Sequence, residues 1–193
     1  MEDCYSVQNM KKASDLDLIT SAINGDASSF EQIINKYEAQ VSATIYGMLG
    51  DTQEADDVGQ EVFIRFYKSM DKFRGDSALG TYLTRIAINL SLNEIKRRKR
   101  RQFFSFDTPI EKELSELYSD KESNKLETKE LVQMALLKLD PKFRSVVVLR
   151  LVENYSTDET AIILELPVGT VLSRLARGQK KLKQILSPFM EEM

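Results

Sequence analysis

The sequence predicts an all-α protein made of two small helical domains joined by a flexible acidic linker, the second domain being a helix-turn-helix. Three observations carry this prediction. Hydrophobic residues recur at intervals of three and four along most of the chain, no segment alternates as a β-strand does, and the middle of the chain loses this period. With 193 residues, of which 42% are hydrophobic, the chain can fill one domain or two small cores.

Four segments are expected along the chain. An amino-terminal extension covers residues 1–13, the first helical domain covers 14–101, the linker covers 102–125, and the helix-turn-helix domain covers 126–193. The linker prediction follows from charge, because residues 102–130 carry eight acidic and four basic side chains with a weak hydrophobic period.

Four amphipathic helices are predicted in the first domain. Gly25 ends the first helix, Asp26 caps the second and Gly50 stops it. The third runs from about Glu54 to Lys72, and the fourth starts near Ser77. The apolar positions expected to face the core are, helix by helix, Leu16, Ile19 and Ile23; Phe30, Ile33, Ile34, Tyr37, Val41, Ile45, Met48 and Leu49; Val58, Val62, Phe66 and Met70; Leu79, Tyr82, Leu83, Ile86, Ala87 and Leu90.

Several residues of the second domain predict where its helices begin and end. Asp140-Pro141 reads as an N-cap followed by proline at the first helical position. Ser156 to Glu159 forms a capping box that opens a short helix. Leu166 to Gly169 breaks that helix, and a last helix is expected to begin at Thr170 and to end before Pro188.

The residue types that the chain lacks disfavour several classes of enzyme. The chain has no histidine, so it lacks an imidazole base, a Ser-His-Asp triad and any histidine-containing zinc site. Cys4 is the single cysteine, so no intrachain disulfide forms, which fits a reducing compartment. An enzyme is therefore the less favoured class, and no cofactor or metal site is expected. The polar, acidic start and the absence of a long apolar run predict a soluble, cytoplasmic protein.

The net charge of −3 conceals two basic segments. Residues 85–101 sum to +6 and residues 172–183 sum to +5, while the acidic residues 102–130 sum to −4. DNA phosphates respond to charge within about a Debye length, roughly 8–10 Å. The local charges therefore permit nucleic-acid binding, which the total charge alone would disfavour.

The last basic segment belongs to a predicted helix-turn-helix over residues 156–183, whose second helix would enter the major groove of DNA. Thr170, Ser173, Arg174 and Arg177 lie near one face of that helix and suit base edges, because arginine bonds guanine through two hydrogen bonds. Lys180 and Lys181 follow and suit phosphates. The alternative is a solvated basic helix that closes a small bundle.

Two further patterns lie in the first domain. Asp57, Gln60 and Glu61 share a helical face beside Asp56, which without context is an ordinary solvated acidic surface. A glycine-containing loop from Phe73 to Leu79 leads into a helix that carries Tyr82 and the run Lys96 to Arg101. Aromatic side chains beside a cationic track are typical of single-strand binding, although the spacing of Tyr82 favours a core position for its ring.

These segments together resemble bacterial extracytoplasmic-function (ECF) sigma factors. The resemblance is carried by Leu139 to Leu151 and Pro167 to Leu182 in the second domain, and by Asp56 to Phe63 and Phe73 to Asn89 in the first. The motifs stand in the family's order, with the expected linker between them. The resemblance implies that the first domain is region-2-like and the second region-4-like, and that the chain binds core RNA polymerase and promoter DNA.

The resemblance also implies roles for individual residues. Duplex minus-35 DNA would be read by the second domain, while the first domain would capture single-stranded minus-ten DNA and dock on the polymerase. The residues implied are Thr170, Ser173, Arg174, Arg177, Lys180 and Lys181 for minus-35 DNA; Phe73, Arg74, Asp76, Ser77, Asn89, Lys96 and Arg97 for minus-ten DNA; and Asp56, Asp57, Gln60, Glu61 and Phe63 for docking. An anti-sigma factor is implied as a further partner.

The chain departs from the family pattern at several positions. Leu172 stands where lysine is common, Glu165 where glycine is usual, and Tyr82 where tryptophan is common. Thr160 replaces an apolar core residue, and Gly59 replaces a larger residue in the docking motif. The first departure bears on one DNA contact, whereas Glu165 and Thr160 bear on local packing.

Three other functions remain open from the sequence. A dimeric helix-turn-helix regulator would bind duplex DNA tightly without replacing the specificity subunit of the polymerase. A metal-dependent enzyme would use Asp56, Asp57 and Glu61 as ligands, although no phosphate-binding loop follows them. A helical interaction module would have no role on DNA.

Overall fold

We analysed a computed structural model, which describes residues 14–104 and 128–190. Within these residues all regular structure is helical, as the sequence predicts. The helices are α1 (Asp15–Ile23), α2 (Ala27–Leu49), α3 (Gln53–Ser69, extended by a 3₁₀ turn over Met70–Lys72), α4 (Leu79–Phe104), α5 (Thr128–Lys138), α6 (Pro141–Val147, extended by a π turn over Val148–Val152), α7 (Thr157–Leu164) and α8 (Val168–Met190). The predicted extension and most of the predicted linker lie outside the described residues.

Local signals set most of the helix ends. The Asp26 carboxylate accepts a hydrogen bond from the Ser28 N–H, and the Asp140 carboxylate accepts one from the Lys142 N–H, both at 3.1 Å. Ser156 and Glu159 form the reciprocal capping box at the start of α7. The predicted caps of α2, α6 and α7 are confirmed, as is the stop at Gly50.

Two predictions about helices are wrong. In α1 the core-facing residues are Leu18, Ile19 and Ala22, whereas Leu16 and Ile23 are about half exposed. This short helix has apolar side chains on two faces, and packing against α2 selects between them. The last helix starts at Val168 and passes through Pro188.

Helix α8 tolerates Pro188 because another donor takes the place of the backbone N–H that proline lacks. In a helix that N–H would bond the carbonyl of Gln184, and here the Ser187 hydroxyl donates to that carbonyl at 3.2 Å. The proline also lies only two residues from the end of α8, so few helical hydrogen bonds depend on it.

In the amino-terminal half, α2, α3 and α4 pack against one another. Their shared core contains the fully buried residues Ile33, Ile45, Val62, Phe66 and Leu83. The carboxyl-terminal helices pack α6 against α8, where Gly178 lies against Val147 so closely that a Cβ there would be 2.7 Å from a Val147 methyl. No helix among the described residues is long and apolar enough to cross a membrane.

The two sets of helices share one continuous core. Leu136, Leu139 and the 147–149 segment are buried in the same cluster as Met48 and Leu49 of α2. Arg144 of α6 is buried at this junction and donates to the carbonyl oxygens of Met48, Leu137 and Leu139. Burial lowers the pKa of its guanidinium to about 10, so Arg144 remains charged at neutral pH.

Candidate nucleic-acid interface

Helices α7 and α8 form a helix-turn-helix whose second helix is the longer one. The turn between them passes through Glu165, whose φ of 53° and ψ of 47° lie in the left-handed region. That conformation ends α7 and lets the chain reverse direction within three residues, because α8 begins at Val168. The sequence predicts this turn, although it does not reveal that a residue with a Cβ adopts the left-handed conformation.

The six residues predicted to read minus-35 DNA lie together on α8. At 100° per residue they fall within about a third of the helix circumference. Ser173, Arg177, Lys180 and Lys181 are exposed, while Thr170 and Arg174 are half-buried. The Lys181 ammonium also lies 5.1 Å from the centre of the Phe143 ring, which positions its charge beside α6.

Two exposed apolar residues lie in the first turns of α8, on the side of the helix opposite the six predicted DNA residues. Val168 and Leu172 are one turn apart, and 41% and 51% of their surfaces are exposed. Leu172, which stands where the family commonly has lysine, is thus an exposed apolar side chain.

The loop that follows α3 is anchored by an aromatic cluster. The Phe73 ring lies 5.2 Å from the Tyr82 ring and 6.4 Å from the Phe66 ring, measured between centroids. Tyr82 also contacts Phe66, at 6.1 Å, in line with the core position predicted for its ring. Arg74 and Asp76 are exposed on either side of Gly75, which has a φ of 74°.

The basic run of α4 is divided between two faces. On one face the Glu94 carboxylate, only 7% exposed, pairs with Arg97 at 2.6 Å, Arg98 at 3.4 Å and Arg101 at 3.2 Å. Arg98 also pairs with Glu54 of α3 at 3.1 Å. The hydrogen bond to Glu94 raises the pKa of Arg97. This face therefore ties α4 to α3, and the predicted DNA residue Arg97 belongs to it.

The opposite side of α4 carries a second set of residues at helical spacing, which we call the cationic face: Arg85, Asn89, Lys96, Lys99 and Arg100. Asn89, Lys96, Lys99 and Arg100 are exposed, and Arg85 is partly exposed. The three cations at the far end make no ion pair with another described residue. The structure thus brings the predicted Asn89 and Lys96 together and adds Lys99 and Arg100. Arg85 is paired with Glu165 of the turn between α7 and α8.

The residues predicted to dock on polymerase lie on α3. Asp56, Asp57 and Gln60 are exposed and Glu61 is partly exposed, whereas the Phe63 side chain is buried in the core. We call the first four the docking face. Asp56 accepts a hydrogen bond from the Tyr46 hydroxyl at 2.9 Å, and Glu61 pairs with Arg65 at 2.7 Å.

An open groove between α2 and α3 adjoins the docking face. Its apolar lining includes Phe30, Ile34, Phe63, Ile64 and Tyr67. In the described part of the chain no group of three or more acidic or cysteine side chains is arranged to hold a metal ion. The docking face thus combines exposed acidic and amide side chains with an adjoining apolar groove.

Comparisons with known proteins match both halves of the chain. Residues 33–101 match the family model of sigma-70 region 2, and residues 129–182 match that of sigma-70 region 4. The chain is 33% identical to the ECF RNA polymerase sigma factor SigW of Bacillus subtilis over 84% of its own length and 91% of the relative. It is also 33% identical to the RNA polymerase sigma-H factor of Pseudomonas aeruginosa, over 95% of this chain and 99% of the relative.

Two solved structures share the fold. The sigma factor RpoE, solved in complex with the anti-sigma factor NepR from Bartonella quintana, has a TM-score of 0.66 and 20% identity, with 83% of this chain and 98% of that chain covered. CnrH, solved in complex with the cytosolic domain of CnrY, has a TM-score of 0.62 and 25% identity, with coverage of 90% and 97%.

Proposed function

Because the chain belongs to the ECF group of sigma-70 RNA polymerase sigma factors, which direct promoter-specific initiation of transcription, we propose that its two cationic surfaces bind the two elements of a promoter. The observation that carries the proposal is that exposed basic residues are concentrated on α4 and α8, within the segments that match region 2 and region 4. The chain then acts by binding and positioning DNA, not by catalysis.

Helix α8 reads the duplex minus-35 element in this proposal. Arg174 and Arg177 contact base edges, with Thr170 and Ser173 beside them, and Lys180 and Lys181 contact phosphates. The exposure of Ser173, Arg177, Lys180 and Lys181 on one broad face of α8 supports these roles. The contacts with phosphate make binding weaken as salt concentration rises.

The loop after α3 and the cationic face of α4 bind the melted minus-ten strand. Phe73 fixes the loop to the core, and Arg74, Asp76 and Ser77 are available to an unstacked base. Asn89 and Lys96 then follow the strand along α4, together with Lys99 and Arg100. Arg97, which the sequence places in this set, is paired with Glu94 of its own helix, so its charge is less available to DNA than that of Lys96.

The docking face binds core RNA polymerase, and Phe63 supports that face from the core. We also propose an anti-sigma factor as a partner, supported by the apolar groove beside the docking face and by the partner-bound solved structures that share the fold. The proposal places the protein in the cytoplasm, where RNA polymerase works. Membership in the sigma-70 family does not favour a dimeric regulator or a metal enzyme.

Reconstituted transcription tests the proposal. Addition of the chain to core polymerase should start transcripts at specific promoters, and Arg177→Ala should lower the yield by roughly 5- to 150-fold, the range that corresponds to about 1–3 kcal/mol for a lost base contact. Gln179→Ala, an exposed change on the same helix away from the proposed contacts, is the matched control and should have little effect. Absence of a specific transcript from every template of a genomic library would contradict the function.

A further inference from the structure

One leucine of α1 lies beside the loop that follows α3 and does not belong to the core. Leu16 is 54% exposed, although the hydrophobic pattern predicts a core position for it. The buried side of α1 is formed by Leu18, Ile19 and Ala22, so packing of this helix does not account for Leu16. Single exposed apolar side chains are common on protein surfaces, and the surroundings of Leu16 therefore decide whether it has a function.

The Leu16 side chain faces the glycine of the loop. A Cβ placed at Gly75 would lie 3.5 Å and 3.9 Å from the two methyl groups of Leu16. Because Gly75 has no side chain, these methyl groups stay uncovered on the side of the loop, and its φ of 74° is a conformation that favours glycine. Arg74 and Asp76, the neighbours of Gly75 in the chain, are exposed. An exposed apolar group therefore lies directly beside the part of the loop that is proposed to receive an unstacked base.

Polar contacts fix the start of α1 on both sides of Leu16. The Asp15 carboxylate accepts a hydrogen bond from the Lys36 ammonium at 2.5 Å and another from the Tyr37 hydroxyl at 2.6 Å, both on α2. Asp17 forms the reciprocal capping box of the helix with its N-cap serine. Leu16 is thus held beside the loop before any ligand binds, so little conformational entropy is lost when a ligand covers it.

The charges around Leu16 favour the face of a nucleotide base over a phosphate. Asp17 on α1 and Asp76 on the loop are both exposed, and their carboxylates repel a phosphate. The face of a base is uncharged and packs on apolar side chains, while its edges form hydrogen bonds. Arg74, Asp76 and Ser77 of the loop offer polar groups to such edges. The surface therefore combines an apolar side with a polar side, as recognition of an unstacked base requires.

We propose that Leu16 is a further binding residue for the melted minus-ten strand: its methyl groups form an apolar wall on which one unstacked base rests while the loop contacts the edge of that base. The proposal rests on the proposed function, because it takes the loop after α3 as the site of base capture. It adds α1 to the DNA-binding surface, and α1 precedes the segment that matches region 2, which begins at residue 33. The contribution of Leu16 is apolar, so it does not depend on salt as a phosphate contact does.

Binding of matched DNA probes tests the proposal. The intact probe is a fork-junction DNA that carries the single-stranded minus-ten sequence of a promoter found by reconstituted transcription. In the other probes an abasic site replaces one base of that strand at a time. Affinity is measured with the full chain bound to core polymerase, and the captured base is the position at which an abasic site weakens binding most. Leu16→Ala should weaken binding of the intact probe about fivefold, as for loss of roughly half the burial of a leucine side chain, and should not weaken binding of the probe that lacks the captured base.

Matched variants separate an apolar contact from other effects. Leu16→Met keeps an apolar side chain, whereas Leu16→Gln introduces a polar one of similar length and helix propensity. The methionine variant should bind the intact probe within about twofold of the wild type, and the glutamine variant about fivefold more weakly. Ile23→Ala removes a similarly exposed apolar side chain roughly 10 Å further along α1 and should leave binding unchanged. In all these variants the slope of log affinity against log salt should equal that of the wild type.

The possible results distinguish failure of this inference from failure of the proposed function. A wild-type complex that binds the intact probe and every abasic probe equally captures no base, which overturns the proposed role of the loop and the role of Leu16 with it. If the wild-type complex is sensitive to one abasic position, but Leu16→Ala weakens binding of every probe equally or of none, the role of Leu16 alone is wrong. Loss of polymerase binding by Leu16→Ala, measured without DNA, also overturns that role, because the leucine would then contact the polymerase.

Discussion

The backbone at Glu165 is unusual for a residue with a side chain, and it leads to a prediction about stability. A residue other than glycine costs roughly 1 kcal/mol or more in the left-handed region. We expect Glu165→Gly to unfold at higher urea concentration than Glu165→Gln, by about 1 kcal/mol in the free energy of unfolding. Both variants lose the exposed ion pair with Arg85, so their difference isolates backbone strain.

Asn154 provides the matched position for this comparison. Its φ of 57° is also left-handed, and asparagine tolerates that region better than most residues. Asn154→Gly should therefore raise the free energy of unfolding by less than the difference between Glu165→Gly and Glu165→Gln. If Glu165→Gly and Glu165→Gln had the same free energy of unfolding, the left-handed backbone at residue 165 would not be strained.

Arg144 is the buried charge on which the junction of α2, α5 and α6 depends. Its guanidinium serves three carbonyl groups, and Arg144→Met leaves all three without that donor. We expect the free energy of unfolding to fall by about 3 kcal/mol or more, measured by urea denaturation. Arg150→Met, which removes a donor to the Tyr155 carbonyl alone, should cost less. Equal losses would contradict the role of the three-carbonyl site.

The proposed function assigns promoter binding to one face of α4 and stability to the other, which gives a second kind of prediction. Lys96→Gln on the cationic face should weaken promoter binding and lower the slope of log affinity against log salt by roughly 0.7–0.9, as for one lost phosphate contact. Arg98→Gln on the opposite face should lower thermal stability and leave that slope unchanged, because Arg98 pairs with Glu54 and Glu94. Titration of promoter binding by the polymerase complex at several salt concentrations measures the slopes. A similar loss of slope in both variants would contradict the division of α4.

The helix α4 was predictable from the sequence, but the division of its cations between two faces was not. The helical period and the basic run of α4 are local, so the helix and its charge were predictable. Which cations of the run are held in ion pairs depends on Glu54, which α3 brings to Arg98, and on the burial of Glu94. The helix caps at Asp26, Asp140 and Ser156 need no contact between helices. They were predictable because each accepts a hydrogen bond from a backbone N–H only two or three residues away.

At the scale of the whole molecule, the contact between the domains had no sequence signal. The Gln40 side chain of α2 donates a hydrogen bond to the Tyr155 hydroxyl, although the two residues are 115 positions apart and no sequence pattern pairs them. Glu165 stands where the family usually has glycine, which is visible in the sequence, but its ion pair with Arg85 depends on the packing of α7 on α4. The two domains were predictable from their own periodicities, whereas the packing of α5–α8 on α2 and α4 follows only from complementary surfaces.

Two helical glycines test whether that arrangement makes the free chain unfold as one unit. Gly47→Ala places a Cβ within 3.0 Å of Val148 and should break the contact between the domains, so that thermal unfolding divides into two transitions. Gly59→Ala is the same change in α3, where the nearest neighbour is an Ile45 methyl at 3.9 Å. It should keep a single transition and raise its midpoint by roughly 2–4 °C, because alanine favours the helix by about 1 kcal/mol. Calorimetry of the full chain distinguishes these results. A Gly47→Ala variant with one transition at the wild-type midpoint would contradict the close contact between Gly47 and Val148 in the free chain.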